Sequence, residues 1–268
     1  MDRSALVPRP AATIMLVRPR QSRLQVFMLR RSAKSVFVPD AYVFPGGGLE
    51  ERDSDDANVA RLAGIENGRL EHFFRSEPVG NALGYAVPLS PSQQRGLLVA
   101  CVRELFEEAG VLLMRPPLPP AEQLARARTA LQRGESSFAE VIAHLDAVID
   151  LSLVEAYSRW ITPPGEPRRF DAYFFVTAMP AEQAAAADLV ETTHGVWIEP
   201  REALERAGRG EMRIVYPTRL HLQRLARYDS LEALLDHARR KGILAVSPDP
   251  LDAALTDFRL PDEYLERW

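Results

Sequence analysis

The chain is short of cysteine. Cys101 is the one cysteine in 268 residues, which excludes an internal disulfide framework and a cysteine-built zinc site. No apolar run approaches the roughly 18 residues a membrane-spanning helix needs. An excess of positive charge is also missing. Lys plus Arg number 33 against 37 Asp plus Glu, so the net charge is −4 and nothing global favours a nucleic-acid partner. The five histidines, His72, His144, His194, His221 and His237, have no metal-ligand spacing. The start, Met1-Asp2-Arg3-Ser4, is not patterned as a signal peptide, and Glu266-Arg267-Trp268 is not a peroxisomal address. These features together make a cytoplasmic, membrane-free protein the expectation.

What is present is ordinary globular composition, 46% hydrophobic and 26% charged, at a length that suits one large domain. Residues 11–17 and 24–30 read as a strand pair, and 41–44 as a short strand that stops at a turn, Pro45-Gly46-Gly47-Gly48. Residues 54–90 are irregular, with a short helix expected near 57–62. A long helix follows. Ser90 is the expected N-cap, Pro91 takes the first helical position, Gln93 completes a capping box, and Gly110 ends the helix. Leu98, Val102, Leu105 and Ala109 form its apolar stripe. Beyond the stiff 116–120 segment, helices are expected over 121–132 and 138–145, strands over 170–178 and 196–198, and a short helix over 200–206. A helical hairpin over 217–227 and 231–240 closes the pattern. Strands mixed with helices indicate an α/β or α+β fold.

The chemistry is concentrated in Arg103-Glu104-Leu105-Phe106-Glu107-Glu108-Ala109-Gly110-Val111. Glu104, Glu107 and Glu108 stand at i, i+3 and i+4 and share one helix face. Like charges at that spacing repel by roughly 0.2–0.5 kcal/mol per pair, and the helix C-terminus disfavours anions. Two readings are open for the nine residues alone: a solvated surface, or a hard-oxygen site for Mg²⁺ or Mn²⁺.

The wider pattern resembles the Nudix box, G-x5-E-x7-R-E-U-x-E-E-x-G-U, with U aliphatic. Arg103 to Val111 fits every specified position of its second half. Counted from Gly47, the first specified glutamate falls on Asp53. From Asp53 to Arg103 there are 49 intervening residues where the box has seven, so an insertion of 42 residues splits it. Arg61 sits eight after Asp53 but is followed by Leu62-Ala63-Gly64, which makes it a decoy. The Nudix motif 19 branch, of coenzyme A diphosphatases, carries an insertion at this place. Resemblance to that branch extends to Phe37–Gly47, Glu108–Leu113, Trp160–Pro163, Arg168–Asp171 and Trp197–Pro200, covering roughly residues 11–240.

The resemblance implies one domain over 1–268 with an α/β/α sandwich and a mixed sheet. The insertion would span about 54–95, a helical segment about 119–150 and a helical C-terminal extension about 217–268. It implies metal-dependent hydrolysis of a nucleoside diphosphate derivative, most of all coenzyme A or acyl-coenzyme A, giving 3′,5′-ADP and 4′-phosphopantetheine or its acyl form. The alternatives are ADP-ribose, NADH or a nucleotide sugar as substrate, or a non-catalytic nucleotide-binding regulator. Mg²⁺ or Mn²⁺ would be held by Glu104, Glu107 and Glu108, with a Gly47 carbonyl and Glu191 as further ligands. Glu104 would also be a base. Arg103 would orient the glutamates, with Glu50 bridging to it or standing further out. Gly46, Gly47 and Gly48 would let backbone approach the site. Arg168 and Arg169 would meet substrate phosphates, or else be a surface pair. Two adjacent strand residues face opposite ways, so both are not expected to serve one site. Trp160 and Trp197 suit adenine stacking or, more simply, core packing. His194 lies near Glu191 and is a minor candidate. Cys101 reads as a small core residue. The insertion and the 119–150 helices would cap the cleft or form a homodimer surface.

Overall fold

A computed structural model describes residues 7–34, 38–188, 192–250, 258–265 and 267–268. Its spine is the twelve-residue strand β1 (Arg9–Arg20). Successive side chains on a strand point to opposite faces, and both faces of β1 are apolar. Ala12, Ile14 and Leu16 enter one core; Met15 and Val17 enter another. A strand buried on both sides needs helices above and below it.

Around β1 a ten-stranded mixed sheet is built. The strands are β2 (Arg23–Arg31), β3 (Ala41–Val43), β4 (Gly46–Gly48), β5 (Ser76–Pro78), β6 (Glu155–Ile161), β7 (Phe170–Ala178), β8 (Thr192–Ile198), β9 (Arg213–Ile214) and β10 (Ile243–Val246). The order is β9-β3-β2-β1-β7-β6-β10-β5, with β8 pairing β2 and β4 pairing β1. The β1–β7 pair is parallel, from Arg9↔Phe170 to Val17↔Ala178. On its other side β1 changes partner. Its end, Val17–Arg20, pairs with β2, and its beginning, Ala11–Thr13, pairs with β4. This exchange brings β4 to the helix that carries the glutamates.

That helix is α2 (Pro91–Ala109); α1 (Asn67–Phe74) precedes it inside the insertion. The Ser90 hydroxyl accepts from the Gln93 N–H at 3.3 Å, and the Gln93 side chain accepts from the Ser90 N–H at 3.0 Å. Gly110 ends the helix in the left-handed conformation, φ 71°, and its N–H donates to the Phe106 carbonyl. Leu98, Val102, Leu105 and Ala109 are fully buried against the β1 face that holds Ile14 and Leu16, together with α3 (Ala121–Gln132) and α4 (Phe138–His144). On the opposite face pack α5 (Pro200–Gly208), α6 (Tyr216–Leu225) and α7 (Leu231–Arg240). The layers are therefore α/β/α.

The insertion leaves and returns at one point. A Cβ on Gly96 would lie 2.2 Å from the Ser54 hydroxyl oxygen, so Ser54 rests directly on the α2 backbone. Between these points α1 seats Phe73 against Phe175 at 6.0 Å, and β5 joins the sheet beside β10.

Several expectations are corrected. Gly46–Gly48 is a strand and not only a turn. The helix near 57–62 is a single turn, Asp56–Val59. The C-terminal extension is not purely helical, because the chain re-enters the sheet as β10 between β6 and β5. Strand β6 (EAYSRWI) escaped the periodicity reading because polar residues interrupt it. All seven residues are nonetheless buried, the polar ones with partners inside. Glu155 pairs with Arg69 and Arg239, Arg159 with Asp171, and Ser158 with His221. Among the described residues no helix is long and apolar enough to cross a membrane.

Candidate active site

The site forms where the C-terminal half of α2 faces β4. Gly46 and Gly47 are required there for different reasons. Gly46 has φ +157°, and a Cβ on it would lie 2.3 Å from the Ala12 carbonyl oxygen of β1. A Cβ on Gly47 would lie 2.2 Å from Glu104 Oε1, so the Glu104 carboxylate occupies the space of the missing side chain. The Gly46 N–H donates to Glu108 Oε2 at 2.9 Å. Two adjacent glycines thus bring backbone against two of the three glutamates.

Arg103 organises the rest. Its Nε and Nη2 donate to the two carboxylate oxygens of Asp53 at 2.8 and 3.0 Å. Nη1 donates to Glu104 at 2.9 Å and lies 3.5 Å from Glu107, and Nη2 also reaches the Gly48 carbonyl at 3.2 Å. Asp53 is fixed in turn, accepting from the Glu50 N–H at 2.9 Å. Glu50 itself is exposed and is not one of the carboxylates paired with Arg103, so of its two expected places the outer one holds, and its charge acts on Glu107.

Burial raises all three glutamates above the ordinary carboxylate range. Glu104 is pushed up to about 7, first by burial; the Arg103 charge opposes the rise and Glu107 adds to it. Glu107 is raised by burial against the pull of Arg103. Glu108 is raised well above its usual value by burial and by Glu104, while the Gly46 N–H and Arg31 act the other way. The negative charge gathered here is under-neutralised by the protein's own cations. Hard, buried carboxylate oxygens with unmet charge are a donor set that fits a divalent cation. Among the described residues no three acidic, histidine or cysteine groups form a ready ligand cage, because Glu104 and Glu107 turn to Arg103 and Glu108 to Gly46.

The end of α2 is held from outside. Arg128 Nε and Gln132 Nε2 of α3 both donate to the Glu107 carbonyl, at 2.9 and 2.6 Å. Gln183 clamps Leu112 through both its backbone groups, at 2.9 and 2.8 Å. These polar contacts fix the helix end that carries Glu107 and Glu108.

The remaining expected site residues are outside this network of contacts. Glu191 is outside the described residues. Arg168 is exposed, whereas Arg169 is buried, donates to the Thr162 carbonyl at 3.0 Å and stacks on Tyr85 at 4.3 Å. The pair therefore splits, and its contacts are with the strand end and the insertion. Trp160 is core, packed edge-on to Trp268 at 5.0 Å. Trp197 lies between Arg18, 4.2 Å above its ring, and Phe27 at 5.3 Å. Arg61 binds the Ala147 carbonyl, away from the box. His194 is exposed on β8. Two charged residues near Glu108 were not singled out from sequence: Arg31, last in β2, and Asp188, which accepts from the Thr192 N–H and hydroxyl. Their one sequence signal was position, at a strand end and just before a strand.

A solved Nudix hydrolase from Alicyclobacillus acidocaldarius superposes with a TM-score of 0.68 at 24% identity, covering 87% of this chain and 97% of that one. The architecture is thus the Nudix fold. The family model of the NUDT19 Nudix domain matches residues 7–225. The chain belongs to the Nudix hydrolase family, in its NUDT19 branch. Similar proteins include acyl-coenzyme A diphosphatase NUDT19 of Homo sapiens, 30% identical over 241 residues, covering 81% of this chain and 64% of that protein. The Xenopus laevis counterpart is 27% identical, over 80% of this chain and 62% of its own length. The chain spans less than two thirds of the length of these curated relatives.

Proposed function

We propose that the chain hydrolyses the diphosphate bond of coenzyme A or an acyl-coenzyme A, releasing 3′,5′-ADP and 4′-phosphopantetheine or its acyl form. One observation carries the chemistry: Glu104, Glu107 and Glu108 are gathered at the glycine strand with too little positive charge around them. The substrate class is supported by the acyl-coenzyme A diphosphatases among the relatives.

In this reading Glu104, Glu107 and Glu108 hold Mg²⁺ or Mn²⁺. A bound divalent cation would supply Lewis-acid polarisation of a phosphoryl oxygen and a lowered water pKa. The protein's own groups do the rest. Glu104, a buried carboxylate held against Gly47 by Arg103, is the group placed to take the proton of the attacking water. Arg103 sets the side-chain directions of Glu104 and Glu107 and is itself locked by Asp53. Gly46 and Gly47 leave room for the carboxylates against the backbone. Arg169, stacked on Tyr85, joins the insertion to the strand end beside β1, and Arg168 offers an exposed cation there for an anionic substrate.

The test is a substrate panel. Purified protein with Mg²⁺ or Mn²⁺ is incubated separately with coenzyme A, acetyl-coenzyme A, ADP-ribose, NADH and a nucleotide sugar, and products are read by mass spectrometry. Release of 3′,5′-ADP from the coenzyme A samples is expected. Cleavage confined to the other substrates would keep the diphosphatase chemistry and reject the coenzyme A assignment.

A further inference from the structure

Arg31 is the last residue of β2 and pairs with Thr192 of β8. Thr192 in turn binds Asp188, and the Ala186 N–H donates to the Ala109 carbonyl beside Glu108, so this strand end adjoins the end of α2; the Arg31 charge accordingly acts on the Glu108 carboxyl. The Arg31 Nε is buried, and no acceptor meets it among the described residues. A buried donor without an acceptor is a cost to the fold and calls for an explanation.

The nearby acids do not provide one. Glu108 takes the Gly46 N–H, and Asp188 takes both donors of Thr192. The other guanidinium groups around the site are committed. Arg103 serves Asp53, Glu104 and the Gly48 carbonyl. Arg128 serves the carbonyls of Glu107 and Ala186, and Arg30 serves Asp40. Arg31 is thus a cation beside the end of α2 whose buried Nε has no acceptor among the described residues. A guanidinium would repel a divalent cation; the complementary partner is an anion with paired oxygens.

We propose that Arg31 is a substrate-binding residue that receives the phosphoryl oxygens of the diphosphate as it lies against Glu104, Glu107 and Glu108. The assignment rests on the diphosphatase reading above. It adds a ligand that recognises the diphosphate itself, whatever groups are joined through it.

The experiment uses the full chain and its Arg31→Ala and Arg31→Lys variants, with melting curves to confirm folding. Calorimetry measures two probes separately: methylenediphosphonate with Mg²⁺ present, as an uncleavable diphosphate, and Mn²⁺ alone. Arg31→Ala is expected to weaken methylenediphosphonate by about ten- to a hundred-fold, the value of a lost charge-assisted contact, with Mn²⁺ affinity held within about two-fold. Arg31→Lys keeps the charge but not the fork and is expected to fall between, so it decides the matter if Arg31→Ala does not fold. In steady-state kinetics KM should rise more than kcat falls. Unchanged diphosphonate affinity would overturn the proposal. So would Mn²⁺ affinity falling in step, because Arg31 would then act through Glu108. Diphosphonate binding that depends on Arg31, in a protein that cleaves no diphosphate, would reject the hydrolase reading and leave Arg31 as a diphosphate ligand.

Discussion

Asp53 and Arg103, fifty residues apart in the chain, meet in a buried two-pronged ion pair at 2.8 and 3.0 Å. The contact closes the box across its insertion. Removing one partner strands a buried charge, so Asp53→Ala is expected to cost about 3–5 kcal/mol. Asp53→Glu, which keeps the charge and supplies the residue usual in the box, should cost clearly less. Urea denaturation monitored by circular dichroism measures both. Equal stability of Asp53→Ala and the wild type would show that the pair does not hold the box together.

Gly47 is required by Glu104 and not by its own dihedral angles. Gly47→Ala places a methyl where the carboxylate now lies, at 2.2 Å from Oε1. The clash falls on a side chain, so the fold should survive while the carboxylate is displaced. A misplacement of about 1 Å costs about a hundred-fold in rate. Steady-state kinetics set against the melting temperature separate the two effects. An active Gly47→Ala would mean that the position of Glu104 does not matter to the chemistry.

Glu104 ties stability to pH. Its folded carboxyl lies near 7, above the ordinary 4.5. The folded state therefore binds the extra proton between those values. The stability it contributes is complete below about pH 4.5 and is lost as pH rises through about 7. In chelator, the wild type should lose stability relative to Glu104→Gln as pH is raised from 5 to 8, and Mg²⁺ should restore it at pH 8. Parallel wild-type and Glu104→Gln curves would refute the shifted carboxyl.

His221 responds in the opposite sense. It is fully buried, with Nε2 accepting from the Ser158 hydroxyl and Nδ1–H donating to the Pro217 carbonyl, each at 2.7 Å. Burial depresses it to about 3. Its contribution is present above about pH 6.5 and is lost as pH falls towards 3. His221→Phe should cost most at pH 7, and the difference from wild type should shrink on acidification. Denaturation at pH 7 and pH 5 measures it.

The box helix was legible because everything that makes it is local. Ser90, Pro91 and Gln93 start it, Gly110 stops it, and the apolar spacing sets its face. The three glutamates were legible for the same reason. Strand β6 was not, because Glu155, Ser158 and Arg159 are buried by partners 63 to 84 residues away or across a strand pair, which no local pattern shows. Strand β5 and the return of the chain as β10 were hidden likewise, since each is short and exists through pairing with distant segments, β5 with β10 and β10 with both β5 and β6. Within the site, Asp53 was legible only as the acidic position of the box; its pairing with Arg103 was not, because the two stand fifty residues apart. Arg31 and Asp188 had no such marker, because their closeness to Glu108 is a product of the fold.

Metal-dependent diphosphate hydrolysis is proposed to rest on the α2 carboxylates. Glu107→Gln tests it most directly, since Glu107 is the most exposed of the three and its substitution should leave the fold in place. Wild type and variant are assayed side by side with coenzyme A and the rest of the substrate panel, with Mg²⁺ or Mn²⁺ and again in chelator. Cleavage by the wild type is expected to need the cation and to fall by about a hundred-fold or more in Glu107→Gln. Cleavage that survives chelator, or a Glu107→Gln protein as active as the wild type, would contradict it.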